Sequence, residues 1–500
     1  MPDLVKAKKL ITDAANQCLL AAQLADRHAA YEKRRDGEVA QQQALLDAEH
    51  PAVKHRLPAV TEAKRKAEEQ AAKQDYVAAQ AALDAALLAI ADAAALKKTS
   101  EDFNARLLLV ELDVTGLTNV SPRAGAPGIG ADVAKVDTAL AEAKAKALLF
   151  DFKAADTALA SAKAQCKSVE VKKLLKAPSP DPVVLKNQME TLNKQPGGPQ
   201  LLDALIAGLG PTDSPDHVLA ALAVRFNLKQ GAQDEGTGAQ KSTVAVLKRV
   251  YKLMAEVPDK HTKENPRMRQ VTRKPAGGSS YGGGNVVLGD ALNEGSKRGL
   301  VITTELPGVE DRCKPPEGKE APVFFDWNVQ HEIAHALDDK KKFMASNENV
   351  DKYGAWVNHG GNVSAVAKAA ADALNLEGID QAAIAKYLDG GTIPSPEPTD
   401  WATMTTWADA IRHGQIPWKA GAKCTQTIQA GGFIIGDCIY HEAYANRWVS
   451  YKATARAEGI TGYQFRAPGE WFSELYAAYK SEQMKPAHPA KTWLDNLFGV

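Results

Sequence analysis

VQHEIAHALDD, Val329 to Asp339, places two histidines four residues apart, with a glutamate directly after the first. At 3.6 residues per turn, His331 and His335 share one face of a helix, where two imidazoles can bind a single metal ion. Glu332 then stands where a carboxylate can polarise a water beside that metal and carry its proton. The apolar residues around the motif, Phe324, Phe325, Trp327, Val329, Ile333, Ala336 and Leu337, make the helix a buried one, with Asp326 or Asn328 as its cap. A buried helix of this kind needs a domain built around it, and the rest of the chain has to supply that domain.

The five letters alone arise by chance in about one or two per hundred chains of this length and composition, so a second half of the site is required. A hydrolytic zinc site takes three protein ligands and keeps a position for water. The metzincin pattern, with a glycine and a third histidine soon after the motif, is excluded, because Asp338 and Lys341 occupy those positions. Farther on, TGYQFRAPGEWFSELYAAYKSEQ reads as a turn ending at Pro468 and Gly469, followed by a helix. On that helix Glu470 and Glu474 lie one turn apart, backed by Trp471, Phe472, Leu475 and Tyr476. They supply a carboxylate ligand and a second carboxylate able to accept a hydrogen bond from a ligand imidazole. Tyr463, seven residues before Glu470, offers a phenol to a developing oxyanion. His441-Glu442 competes for the third-ligand role, whereas His217, His359 and His413 read as ordinary polar positions.

HEIAHALDD together with YQFRAPGEWFSELYAAY resembles the catalytic domain of anthrax lethal factor type metallopeptidases, within the gluzincins, over about residues 247–480. VPDKH, ahead of the predicted sheet, is a weaker similarity. The resemblance implies that His331, His335 and Glu470 bind zinc, that Glu332 is the general base, that Tyr463 assists the oxyanion and that Glu474 supports a ligand imidazole. About 135 residues separate His335 from Glu470, more than such a core needs, so a helical insertion is expected at about 343–455. It includes the segments VSAVAKAAADAL, DQAAIAKYL and CIYHEAYANRWVSYKATARA, read as helices, and it would act as a substrate-binding lid or a plug.

Ahead of this half the texture differs. From Pro2 to about Lys176 small apolar residues recur at helical spacing. Val60, Ala63, Ala67, Ala71, Asp75, Ala78, Ala79, Ala82 and Leu83 recur 76 residues later as Val136, Ala139, Ala143, Ala147, Asp151, Ala154, Ala155, Ala158 and Leu159, and Tyr76 becomes Phe152. A helix, a break at the Asp-aromatic pair and a second helix make a hairpin used twice. The segment 177–200, rich in proline, reads as a linker or a loosely helical connection, and 201–500 as the second domain. There LLDALIAGLG, DHVLAALAVRFNL and STVAVLKRVYKLMAEV are helices. MRQVTRK, NVVLGD and RGLVITTEL are strands of a small twisted sheet. The cluster Gly277, Gly278, Gly282, Gly283 and Gly284 lacks the lysine of a phosphate-binding loop and reads as a loop or strand edge beside the site.

The expected fold class is therefore mainly α with a small β-sheet: an amino-terminal helical hairpin or bundle domain at 1–176 and a carboxy-terminal α+β, zincin-like metallopeptidase domain. Five hundred residues suit two or three domains. Basic and acidic residues both number 61, which argues against nucleic acid or an anionic membrane as partner. The five scattered cysteines make neither a disulfide framework nor a zinc knuckle, although Cys424 and Cys438 are able to pair. The charged amino terminus is not a secretory signal, and no window was expected to approach a membrane span. The leading expectation is a zinc endopeptidase acting on a protein substrate. By analogy it is a bacterial effector or toxin made in the cytoplasm and exported or injected by specialised machinery, with the front helices serving a delivery or partner protein. The alternatives are a helical interaction or scaffolding protein with a structural or degenerate metal site, and a protease held inactive by its insertion or its amino-terminal helices.

Overall fold

Alanine at every third or fourth position lets helices approach closely, and the amino-terminal segment builds its core from such contacts. The computed structural model describes residues 2–119, 129–289, 318–361, 364, 366, 368, 432–435, 438–444, 447–452, 454–455, 459–461 and 463–499. It divides into two units, Met1–Leu174 with Lys194–Gly198, and Leu175–Asn193 with Pro199–Val500. The whole is mainly helical, with two small four-stranded sheets among the described residues.

The first unit holds α1 (Pro2–Lys33), α2 (Pro51–Ala72), α3 (Tyr76–Asn119), α4 (Ile129–Leu148) and α5 (Phe152–Leu175). The repeat is two helical hairpins, α2 with α3 and α4 with α5. Both turns are built the same way. Gln74 and Phe150 take left-handed backbone, with φ of 62° and 56°. The next residue caps the second helix: Oδ1 of Asp75 accepts from the N–H of Ala78 at 3.0 Å, and Oδ1 of Asp151 from that of Ala154 at 3.1 Å. One expectation needs correction. Residues Tyr76–Leu117 are long and apolar enough, at a mean hydropathy of 1.5, to pass a test for a membrane span by length and composition alone. Two stretches of that helix are nevertheless packed, Tyr76–Ile90 against Val60, Ala63 and Ala67, and Phe103–Val110 against Leu140 and Ala143.

The second unit begins at Leu175, two residues before the segment read as a linker, and takes in most of that segment. Residues there form α6 (Pro182–Asn193), whose Leu185, Met189 and Leu192 are buried, so its proline at the first turn starts a packed helix. Next come α7 (Gly198–Ala207), α8 (Pro215–Arg225) and α9 (Val244–Ala255). The first sheet has β1 (Gly231–Asp234), β2 (Gln270–Arg273), β3 (Ser280–Gly282) and β4 (Asn285–Leu288), in the order β1-β2-β4-β3. β1–β2 and β2–β4 are parallel, whereas β3 runs antiparallel along β4 and forms the edge. Gly283 and Gly284, at φ of 57° and 87°, make the two-residue turn between β3 and β4, a geometry that requires left-handed backbone twice. The glycine cluster thus holds a hairpin. The segment RGLVITTEL lies outside the described residues.

α10 (Phe324–Lys341) carries the histidine motif and α11 (Pro468–Lys480) the two glutamates; α12 (Lys491–Phe498) closes the chain. α10 starts earlier than expected, its cap standing three residues before Asp326 and five before Asn328. Val323 occupies the cap position, and Asp326 inside the first turn accepts two hydrogen bonds from Arg249 of α9, at 2.6 and 3.0 Å.

The helical insertion is the largest departure. Besides a short helix at Phe343–Ser346 and a single helical turn at Asp351–Tyr353, its described part holds a second sheet, β5 (Val357–Gly360), β6 (Gly432–Ile435), β7 (Cys438–Tyr444) and β8 (Arg447–Lys452), antiparallel in the order β5-β8-β7-β6. Cys438–Tyr444 and Arg447–Lys452, within CIYHEAYANRWVSYK, are paired antiparallel strands and not a helix. Short apolar runs satisfy both periods, and here strand pairing decides: Trp448, Val449, Ser450 and Tyr451 are all buried in succession, as in a strand covered on both faces. The Tyr451 ring packs at a tilt against those of Trp356 and Phe465, with centroids 4.5 and 5.2 Å away, which joins this sheet to the segment before α11. Residues 364, 366 and 368, the described positions of VSAVAKAAADAL, are helical as expected, whereas the rest of that segment, DQAAIAKYL and Cys424 lie outside the described residues.

Candidate metal centre

α10 and α11 pack against each other across a core of Phe325, Trp327, Ile333, Phe472 and Tyr476, all at 1 % exposure or less. Asn265 donates to the carbonyl oxygen of Ala336 at 3.0 Å, and Tyr281 to Oδ2 of Asp339 at 2.8 Å, which fix α10 from the sheet side. His261, in VPDKH, contacts the hydroxyl of Tyr476 through Nδ1 at 2.9 Å and the carbonyl oxygen of Leu497 through Nε2 at 3.2 Å. Two helices distant in sequence are thereby held in one register.

That register brings three donor atoms together. Nε2 of His331 lies 3.0 Å from Oε2 of Glu470, Nε2 of His335 lies 3.2 Å from the same oxygen, and the two nitrogens are 3.0 Å apart. His331, His335 and Glu470 form a group that can hold a metal ion. Three basic atoms this close repel unless positive charge sits between them, and the titration of the cluster reflects it. Burial opposes charge on His331, yet its contacts with Glu470 and Glu474 outweigh burial and push it up to about 10. Burial likewise raises Glu470, and the two histidines outweigh it and hold the carboxyl below its ordinary range. The donor set therefore fits a cation.

His331 is held from behind. Nδ1 of His331 is 2.9 Å from Oε1 of Glu474, one turn beyond Glu470 on α11. Trp327 donates to that same oxygen at 2.9 Å, and the hydroxyl of Thr461 donates to Oε2. Gly469 brings the start of α11 against the ring of His335; a Cβ there would stand 3.5 Å from Cε1 and Nδ1.

A cavity of about 620 Å³ opens onto the group, lined by Glu332, Tyr463, Arg466, Tyr281 of the edge strand and Arg447 of β8 among others. Glu332 is 4 % exposed, and its Oε2 has no partner among the described residues. Burial raises its pKa, with the two histidines opposing and Glu470 and Glu474 adding to the rise. The Tyr463 ring sits 5.9 Å from that of His331, and its hydroxyl accepts from Nη1 of Arg466 at 3.1 Å. Burial raises the phenol, as does the Glu470 charge, and Arg466 opposes both.

All six expected site residues thus meet in one place. Trp327, Thr461 and Arg466 were not singled out for these contacts; a tryptophan one helical turn before His331 was the available signal for the first. The rival His441-Glu442 has its backbone in β7, opposite Val449 and Trp448, and its side chains lie outside the described residues. His359 bonds to the hydroxyl of Ser450 at 2.9 Å and His217 is buried on α8, both away from the three ligands; His413 lies outside the described residues. Comparison with known protein families, curated proteins and solved structures finds no match to this chain.

Proposed function

We propose that the chain is a zinc-dependent endopeptidase, with His331, His335 and Glu470 as the metal ligands. The observation that carries this reading is the convergence of two imidazole nitrogens and one carboxylate oxygen within 3.2 Å of one another, beside a buried glutamate facing the same cavity. Those separations lie near the roughly 3.3 Å between ligands that a tetrahedral zinc with bonds of about 2.0–2.1 Å imposes. Bound zinc would supply Lewis acidity toward a water and a peptide carbonyl.

The chain's own groups do the rest. Glu332, with Oε2 unengaged among the described residues, accepts the proton of the attacking water and returns it to the leaving nitrogen. Its raised pKa suits a group that must hold and then release that proton. Tyr463 accepts from Arg466, so its own O–H is left to donate to the oxyanion as the carbonyl becomes tetrahedral. The edge strand β3 flanks the cavity and offers backbone groups to an extended peptide, which favours a polypeptide substrate. The resemblance to lethal factor type gluzincins agrees with this assignment, and by the same analogy the protein acts as an effector or toxin delivered into another cell.

Metal analysis and peptide-library cleavage test it, with wild type beside Glu332→Ala. Stoichiometric zinc in both and cleavage by wild type alone is the expected result. Absence of zinc removes the ligand assignment, and zinc without cleavage by the full chain or a fragment from about Leu201 removes the peptidase.

A further inference from the structure

The repeat in the first unit extends farther than its two hairpins. The buried face of α3 runs Tyr76, Ala79, Leu83, Ala86, Ile90 and Ala93, and that of α5 runs Phe152, Ala155, Leu159, Ala162, Cys166 and Val169, the same positions 76 residues on. In α3 the Tyr76–Ile90 part is packed by Val60, Ala63 and Ala67 of α2, and in α5 the Phe152–Ala162 part by Leu140 and Ala143 of α4. A third copy lies 72 residues before the first, as Leu4, Ala7, Ile11, Ala14, Cys18 and Ala21 of α1. All six of those residues are exposed, Leu4 at 80 % and Ile11 at 72 %.

The offset of 72 is anchored structurally. Tyr31 and Phe103, 72 residues apart, are both buried, and they reach Tyr76 and Phe152 with ring separations of 6.1 and 5.8 Å. Three residues beyond each stands an arginine in an ion pair, Arg34 with Asp84 and Arg106 with Asp156. α1 and α3 therefore share one plan, in which the first half presents an apolar seam to an antiparallel helix and the second half packs on the hairpin that follows. In α1 the seam runs on into Leu24 and Tyr31, which pack on the first hairpin, while its first half is exposed and no described residue of the core clusters packs on it.

We propose that this seam is a dimer interface, covered by α1 of a second copy running antiparallel about a two-fold axis. Large and small residues alternate along it at heptad spacing, Leu4, Ile11 and Cys18 against Ala7, Ala14 and Ala21. An antiparallel pair sets Leu4 opposite Ala21, Ala7 opposite Cys18 and Ile11 opposite Ala14, so every layer joins an alanine to a bulkier residue. Beside the seam Lys8 then faces Ala15, and Leu10 faces Gln17, so no like charges meet across it. A parallel pair stacks alanine on alanine and leaves voids in alternate layers. The helices that cover this face elsewhere, α2 and α4, are already engaged.

Light scattering and sedimentation of the full chain should give twice the 53.5 kDa chain mass at micromolar concentration. Ile11→Glu, at an exposed position of the single chain, should return the monomer and weaken association at least tenfold while leaving the helical circular dichroism unchanged. Ala7→Cys should cross-link to Cys18 of the second copy under mild oxidation, and Ala7→Cys with Cys18→Ala should not. A monomer at all concentrations overturns the proposal, whether or not the face then binds lipid vesicles or another protein. Wild-type cross-linking through Cys18 alone overturns the antiparallel arrangement.

Discussion

Trp327 donates its indole N–H to Oε1 of Glu474 across 2.9 Å, although 147 residues separate them in the chain. The same oxygen is 2.9 Å from Nδ1 of His331, so one contact joins the hydrophobic packing of two helices to the aim of a candidate metal ligand. Groups placed behind a ligand in this way tune metal affinity about 10–100-fold. Glu474→Ala should weaken zinc by that factor in a chelator competition, and Trp327→Phe by less, because Thr461 still holds the carboxylate. Affinity within a factor of two of wild type in Glu474→Ala would show that the contact only packs.

Glu332→Gln removes the proton acceptor and touches none of the three ligands. Zinc content should stay at one per chain while kcat drops by about a hundredfold or more. Loss of the metal in this variant would assign Glu332 to the coordination sphere instead.

Tyr463→Phe deletes the phenolic O–H and keeps the ring beside His331. A group acting on the oxyanion alone lowers kcat, here by about 10–1000-fold, with KM nearly unchanged. Arg466→Lys should cost less than Arg466→Ala, since either cation can donate to the phenol. A rise in KM with intact kcat would make Tyr463 a substrate-binding residue.

His261 gives a pH dependence separate from catalysis. It is fully buried, and burial pushes its imidazole down to about 4. With the folded value below the ordinary 6.5, the unfolded chain takes up the proton first as pH falls. Stability from this residue is therefore complete above about pH 6.5 and declines down to about pH 4, by a total on the order of 3 kcal/mol. All eight tryptophans belong to the second unit, so their fluorescence during urea unfolding reports on it alone. His261→Phe should be less stable than wild type at pH 7.5, having lost its contact with Tyr476, and should lose less between pH 7.5 and 4.5. Equal losses in both proteins would place the acid sensitivity elsewhere.

Local chemistry made much of this legible. The two hairpins could be read because a left-handed turn and an aspartate cap are properties of a few adjacent residues, repeated at Asp75 and Asp151. The convergence of the candidate ligands could be anticipated because the spacing of side chains on one face of a helix follows from 3.6 residues per turn. The β7–β8 hairpin could not: Ile439, Trp448, Val449 and Tyr451 satisfy a helical stripe nearly as well as a strand, and only pairing with β5 separates the two. Thr461 and Arg466 were equally silent, because neither hydroxyl nor guanidinium carries a period.

The sequence by itself determined that α10 shows two imidazoles on one face and α11 two carboxylates on another, since both facts depend on helical spacing alone. Tertiary structure decided that these faces meet within 3.2 Å, and that a sheet, where helices were expected, supplies Arg447 and Val449 to the cavity wall. The reason is physical: spacing along a helix is fixed by its own backbone hydrogen bonds, whereas the distance between two helices depends on contacts such as Trp327 with Glu474 and His261 with Tyr476, whose partners are separated by 147 and 215 residues.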